Sequence, residues 1–238
     1  MPRASLVLRL VSTSIGLVCL LPAACAPPAE SPSEETPPDG LEYVPPRPGT
    51  YELPPIQEAA DGSVIDADGS ARRLFDYMGD KYVLLSFVYT RCSNPIGCPL
   101  ATRTLDEVER GLEAEPDLAE RVRLVTLSFD PERDSAEQML RYAAREYVDT
   151  RWDARGWSFL TTESWDELQP ILDGYGQYIV PEIDESGEPT GDFSHVLKVF
   201  LIDRERRVRN IYSSGYLHAA LAINDVKTLI MMSEVESS

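Results

Sequence analysis

From Tyr51 onward the chain predicts an α/β fold, a central mixed sheet flanked by helices with an added N-terminal β-hairpin. Three observations point to it. Tyr82 to Tyr89 (YVLLSFVY) is an almost unbroken apolar run, the pattern of a strand covered on both faces as in parallel sheets. Runs of this kind alternate with segments whose apolar residues recur at helical spacing. The chain then closes with two strand-like runs around a short turn and a last helical stretch. Its 238 residues, 43% of them hydrophobic, suffice for one sizeable core.

Taken in order, Tyr51 to Ile56 is a short apolar segment, and DGSVIDADGS (61–70) carries the Asp and Gly signals of a hairpin. The central strand Tyr82 to Tyr89 follows. Leu105, Val108 and Leu112 recur at helical spacing among Asp106, Glu107, Glu109 and Arg110, which predicts an amphipathic helix over about Pro99 to Ala114. Val122 to Phe129 (VRLVTLSF) is the next strand. A second helix is expected from Asp134, which forms a capping-box-like pair with Glu137 and places Met139, Leu140, Ala143, Ala144 and Tyr147 on one face. Ser164 and Glu167 start a third helix that Pro170 should break or bend early. A polar loop, Pro181 to Ser194, leads into the strand Val196 to Ile202. A turn at Asp203 to Arg206 pairs that strand with Val208 to Ser213, and a final helix lies within Leu217 to Met232. Strand, cysteine-bearing loop, helix, strand, helix, antiparallel pair and helix is the order of a thioredoxin-like fold.

The residues before Tyr51 have another character. Arg3 and Arg9 precede the apolar run Leu10 to Leu21, which ends in small residues, so 1–24 reads as a secretory signal. Leu21-Pro22-Ala23-Ala24-Cys25 resembles the lipobox at which bacterial lipoproteins are cleaved and acylated, which makes Cys25 the candidate lipidation site and the membrane a partner through a lipid anchor. The protein is then expected on the periplasmic side, or on the outer face of the cytoplasmic membrane. Residues 25–50 form the tether. Eight prolines between Ala26 and Thr50, with Glu, Ser and Gly around them, cannot bury enough apolar surface to offset chain entropy. The formal charge of −18 and the lack of a basic patch argue against binding to nucleic acid phosphates.

With Cys19 lost in the signal and Cys25 lipidated, one thiol pair remains, Cys92 and Cys98, in an oxidising compartment. Asn94-Pro95-Ile96-Gly97 between them matches the preferences of a type I turn, which returns one thiol toward the other. Pro99 suits the first position of a helix and so puts Cys98 at its N-cap, where the helix dipole favours a thiolate. Spacing alone leaves a disulfide, a shared metal and a redox dithiol open. Only His195 and His218 are present to complete a metal site. His195 opens the apolar strand Val196 to Ile202 at a loop-bearing end, whereas His218 sits in a helical context and reads as a packed or surface histidine. Two cysteines and one histidine suit Cu(I), and the imidazole also permits Cu(II); zinc would want a fourth ligand.

Four segments together resemble the Sco/SenC family of thioredoxin-like copper chaperones. They are LLSFVYTRC (84–92), CPLATRTLDEV (98–108), LVTLSFDPERDSAEQMLRYA (124–143), and His195 with the VLKVFLID that follows it. The resemblance implies that 51–238 is a Sco domain, that Cys92, Cys98 and His195 bind copper, and that Asp130 is a supporting group near them. It also implies delivery to an exported cuproprotein or oxidase subunit, the copper centre of cytochrome c oxidase above all. One feature departs from the family: five residues, Ser93 to Gly97, separate the cysteines where three are usual. A second function of another class therefore stands beside the first, a thiol:disulfide oxidoreductase in which Cys92 or Cys98 attacks a disulfide or keeps a target's cysteines reduced. A third is a binding module stapled by a structural disulfide.

Overall fold

The computed structural model describes residues 36–146 and 156–236. The signal peptide, the lipobox with Cys25 and the first part of the tether lie outside these residues, as does Tyr147.

Among the described residues, ten strands and five α-helices form around one core. The first strands are β1 (Gln57–Glu58), β2 (Ser63–Asp66) and β3 (Ala71–Arg73), followed by a 3-10 turn over Leu74–Tyr77. Then come β4 (Tyr82–Val88), α1 (Cys98–Glu113), α2 (Pro116–Ala119), β5 (Val122–Ser128), α3 (Ala136–Glu146), β6 (Trp157–Thr161) and α4 (Trp165–Tyr175). The chain ends with β7 (Ile179–Ile183), β8 (Pro189–His195), β9 (Val199–Ile202), β10 (Arg207–Tyr212) and α5 (Ala219–Glu236).

Eight strands make one sheet in the order β1-β10-β9-β4-β5-β6-β2-β3, and β7 with β8 forms a separate two-stranded ribbon. At the centre, β4 runs parallel to β5 and antiparallel to β9, and all seven of its residues are buried, as its unbroken apolar run predicts. The hairpin read in residues 61–70 is the pair β2 and β3.

Helix α1 buries Cys98, Ala101, Leu105, Val108 and Leu112, a stripe spaced by three, four, three and four residues. It crosses α5 at close range. A Cβ added at Gly111 would lie 2.6 Å from Ile223 Cδ1, inside van der Waals contact. Gly111→Val is therefore expected to lower stability by about 1–3 kcal/mol in chemical denaturation, by overpacking. Ile223→Ala in the same background should recover part of that loss.

Several local expectations are corrected. Asp134 does not cap α3. The N-terminal bond of that helix comes from Gln138 N–H to Ser135 Oγ, at 3.3 Å, while Asp134 points inward. Pro170 does not break α4, which continues to Tyr175 and ends at Gly176 in the left-handed conformation. Pro170 sits on the exposed side, so the carbonyl that its ring leaves without a donor reaches water. Strand β6 (WSFLT) was not expected, and the supposed polar loop 181–194 is largely the ribbon β7 and β8. The strand expected over Val196 to Ile202 begins only at Val199.

The proline-rich segment is not free of the domain over its described part. His218 Nε2 donates to the Asp39 carbonyl at 2.8 Å, Asn224 Nδ2 to the Pro46 carbonyl at 3.1 Å, and Gly49 N–H to Thr228 Oγ1 at 3.0 Å. The Tyr51 hydroxyl donates to Asp225 at 2.5 Å. Residues 39–51 thus run as a strap along α5, and the folded unit takes in residues expected to belong to the tether. His218 lies just before α5 and not within the helix that its sequence context suggested. Its Nδ1 accepts the Ala220 N–H at 3.1 Å just before the helix, which leaves Nε2 to carry the proton given to Asp39.

Candidate functional site

The site lies where β4 and β5, parallel neighbours, end at their carboxyl ends, the edge at which open α/β sheets gather ligands. The chain leaves β4 through Tyr89, and Cys92 N–H donates to the Tyr89 carbonyl at 3.2 Å. The turn foreseen at 94–97 forms: Gly97 N–H donates to the Asn94 carbonyl at 2.9 Å, and Asn94 Oδ1 accepts the Ile96 N–H at 3.2 Å. Gly97 leaves room for a close approach here. A Cβ on it would stand 3.3 Å from both Cys92 Sγ and the Asn94 carbonyl. Gly97, not Cys98, is the N-cap of α1, so Cys98 is the first helical residue and Pro99 the second.

Both cysteines are free thiols, Cys92 partly exposed and Cys98 fully buried. They share a hydrogen bond, and that bond divides their chemistry. Cys92 is brought down to about 5, chiefly by the bond that it accepts from the Cys98 thiol, with backbone donors and His195 adding to it. Cys98 is pushed up, first by that same bond and then by burial. The helix N-terminus was expected to make Cys98 the thiolate. Burial and the neighbouring sulfur outweigh it, and Cys92 ionises first.

His195 closes β8 instead of opening β9, and the ribbon carries it to the thiols. Its Nε2 stands 3.9 Å from Cys98 Sγ, and its Nδ1 lies 3.3 Å from the Phe193 carbonyl. A carbonyl only accepts, so that bond puts the proton on Nδ1 and aims the Nε2 lone pair at the sulfur. Three aromatic rings fix the imidazole. Phe129 is 4.9 Å and Tyr89 6.0 Å from it between centroids, and Phe193 packs on both of these rings. They come from the ends of β4 and β5 and from β8, so sheet registry places the histidine. Burial, and then the charge on Cys92, push the Tyr89 hydroxyl up.

Asp130 is buried just beyond β5, and its carboxylate pairs with Arg133 at 3.4 Å and not with the thiols or the imidazole. Burial and the charge of Asp134 push it up. The residue that sequence reasoning assigned wrongly is Asp134. Its carboxylate accepts from Thr90 N–H at 3.0 Å, Thr90 Oγ1 at 2.6 Å and Ser128 Oγ at 2.6 Å, and so ties the end of β5 to the start of the cysteine loop. The aromatic trio was also overlooked; its only signal was an aromatic residue at each strand end.

Beside Cys92 and His195 opens a cleft of about 490 Å³. Among the described residues no group of three or more His, Cys, Asp or Glu side chains stands in metal-holding geometry. The donor set nevertheless fits a soft ion. The 3.9 Å between Cys98 Sγ and His195 Nε2 is shorter than the sum of bond lengths of about 2.3 Å to thiolate and about 2.1 Å to imidazole.

The profile of the SCO1/SenC family matches residues 56–231, most of the chain. The chain belongs to the SCO1/SenC family. Two curated relatives are the mitochondrial SCO2 homologues of Mus musculus and Homo sapiens, each 43% identical, over 82 and 91 residues. Those alignments take in 34% and 37% of this chain and only 31% and 33% of the relatives, about a third of their length. Solved Sco structures share the fold. Apo Sco1 of Thermus thermophilus matches at a TM-score of 0.60 and 26% identity, over 76% of this chain and 95% of that one. A SCO1/SenC family lipoprotein of Bacillus anthracis matches at 0.60 and 21%, over 74% and 97%. Copper-bound yeast Sco1 matches at 0.56 and 17%, over 76% and 90%. The central mixed sheet flanked by helices is thus the thioredoxin-like fold of Sco proteins. No helix among the described residues is long and apolar enough to cross a membrane.

Proposed function

We propose that this Sco protein is a membrane-tethered copper chaperone that takes copper as cargo on Cys92, Cys98 and His195 and passes it to an exported cuproprotein, the copper centre of cytochrome c oxidase in the first place. The observation that carries this reading is the imidazole Nε2 of His195 3.9 Å from Cys98 Sγ, its proton held on the far nitrogen, beside a second free thiol, Cys92. A redox dithiol needs no such histidine, whereas a soft ion uses it. Solved relatives of Arabidopsis thaliana and Bradyrhizobium japonicum carry copper, and a further one is described as a member of the Sco family of cytochrome c oxidase assembly proteins.

Anaerobic Cu(I) titration of the protein tests the reading. Wild type should bind one equivalent, Cys92→Ser and Cys98→Ser should abolish tight binding, and His195→Ala should weaken it at least tenfold. Wild-type protein that binds no copper would end the proposal.

A second reading, thiol:disulfide exchange, is favoured by the division between a readily ionised, accessible Cys92 and a buried, protonated Cys98. The relative BsSco is described as having a disulfide switch. In this reading Cys92 attacks a target disulfide and releases one target thiolate. Cys98, losing its proton, then attacks Cys92, so that the target gains two electrons and the pair becomes a disulfide. Thiol exchange unchanged in His195→Ala, together with absent copper binding, would select it.

A further inference from the structure

The ribbon that delivers His195 has features that ligand placement does not require. From Ile179 to His195 it carries five acidic residues, Glu182, Asp184, Glu185, Glu188 and Asp192, and no lysine or arginine. Asp184 is used in the turn, where it accepts from Ser186 and from Glu188 N–H. Glu182 and Asp192 instead line the thiol cleft, exposed, and neither carboxylate has an ion pair among the described residues. The guanidiniums of Arg91 and Arg133 lie against Gly191 and are not part of the cleft wall.

The same rim is apolar. Ile96 at the tip of the cysteine loop is 63% exposed, Val196 just after His195 is 62%, and Val180 is 61%. Ile96 and Val196 line the cleft, and Val180 stands opposite Ser194, another lining residue, in the ribbon's register. Exposed aliphatic side chains ringing a reactive cleft, with unspent negative charge between them, are the anatomy of a protein contact: apolar anchors with a charged component that selects the partner. The free edge of β7 does not suit strand addition, because Pro181 in its middle offers no N–H. Recognition falls to the side chains.

We propose that Ile96, Val180 and Val196 with Glu182 and Asp192 form a docking rim for a cationic, apolar polypeptide segment of the protein that exchanges copper with the cleft. This rests on the copper-chaperone reading for the identity of the exchange, but not for the docking itself. The five residues from Ser93 to Gly97 have a place in it, since they carry Ile96 out to the rim.

The probes are two labelled peptides that share one Leu-Val-Leu core, flanked in one by four lysines and in the other by four glutamates. Binding to the purified full chain is read by fluorescence anisotropy at low and physiological salt. The lysine peptide should bind at least tenfold more tightly than the glutamate peptide, and less tightly as salt rises. Ile96→Ser with Val180→Ser, and separately Glu182→Lys with Asp192→Lys, should each weaken it at least tenfold. Glu58→Lys with Asp117→Lys, which changes the net charge equally away from the rim, should stay within twofold of wild type. Equal weakening by the control pair, or no weakening by the rim pairs, overturns the proposal. Cu(I) titration of wild type keeps the two readings apart: wild type without copper defeats the chaperone reading but not the rim.

Discussion

Asp134→Ala is expected to cost about 3–5 kcal/mol of folding stability, measured by urea denaturation, more than a typical substitution. The carboxylate is buried and accepts from Thr90 N–H, Thr90 Oγ1 and Ser128 Oγ. Its removal leaves the buried Ser128 hydroxyl and the partly buried Thr90 N–H and hydroxyl without their acceptor, at about 1–3 kcal/mol for each group left unsatisfied, offset by partial relaxation. Asp134→Asn keeps one oxygen and should lose roughly half as much. The effect extends to the site, because Thr90 lies two residues before Cys92. Copper affinity should therefore fall in Asp134→Ala even though no ligand has been changed, and amide exchange over 90–97 should quicken more than exchange in α5.

The second large effect is expected at Phe129. It is fully buried, and it packs on Tyr89 at 5.2 Å, on Phe193 at 5.5 Å and on His195 at 4.9 Å between centroids. Phe129→Ala should lower stability by about 3–5 kcal/mol, from lost burial and the cavity left behind. Phe129→Leu, which fills most of the space, should cost about 1–2 kcal/mol and serves as the functional test. With the ring gone, His195 is no longer wedged toward Cys98. Phe129→Leu should then bind Cu(I) nearly as weakly as His195→Ala does, whereas Phe159→Leu, elsewhere in the core, should leave copper affinity unchanged.

Much of the fold was legible because local pattern and burial agree. Every residue of β4 is buried on one face or the other, and α1 buries a stripe that its spacing announces. What was illegible depends on tertiary partners. Strand β6 is only five residues long and acquires its identity by pairing with β5 and β2. The ribbon β7 and β8 is rich in Pro, Gly and acidic residues and buries little beyond Gly191 and Phe193, so its composition reads as a loop. Its strands pair with each other, and the pairing was invisible until His195 was placed beside the thiols. Pro170 misled because a proline is damaging only where its missing hydrogen bond is buried, and here it faces solvent.

At the site, the residues were legible and their electrostatics were not. Cys92, Cys98 and the turn between them follow from local chemistry, and His195 was singled out by its place after a polar loop. The order in which the thiols ionise depends on which sulfur is buried, and a sequence does not state that. Asp134 had two plausible uses, an N-cap or an internal acceptor, and the donors Thr90 and Ser128 decided between them.

The central claim is that Cys92, Cys98 and His195 hold one copper ion together. X-ray absorption at the copper edge, on protein loaded anaerobically with one equivalent of Cu(I), tests it most directly. The expected spectrum shows two sulfur ligands and one imidazole nitrogen, with the nitrogen contribution lost in His195→Ala and the sulfur count halved in Cys92→Ser. Copper bound only through oxygen or nitrogen, or a spectrum unchanged by His195→Ala, would contradict it.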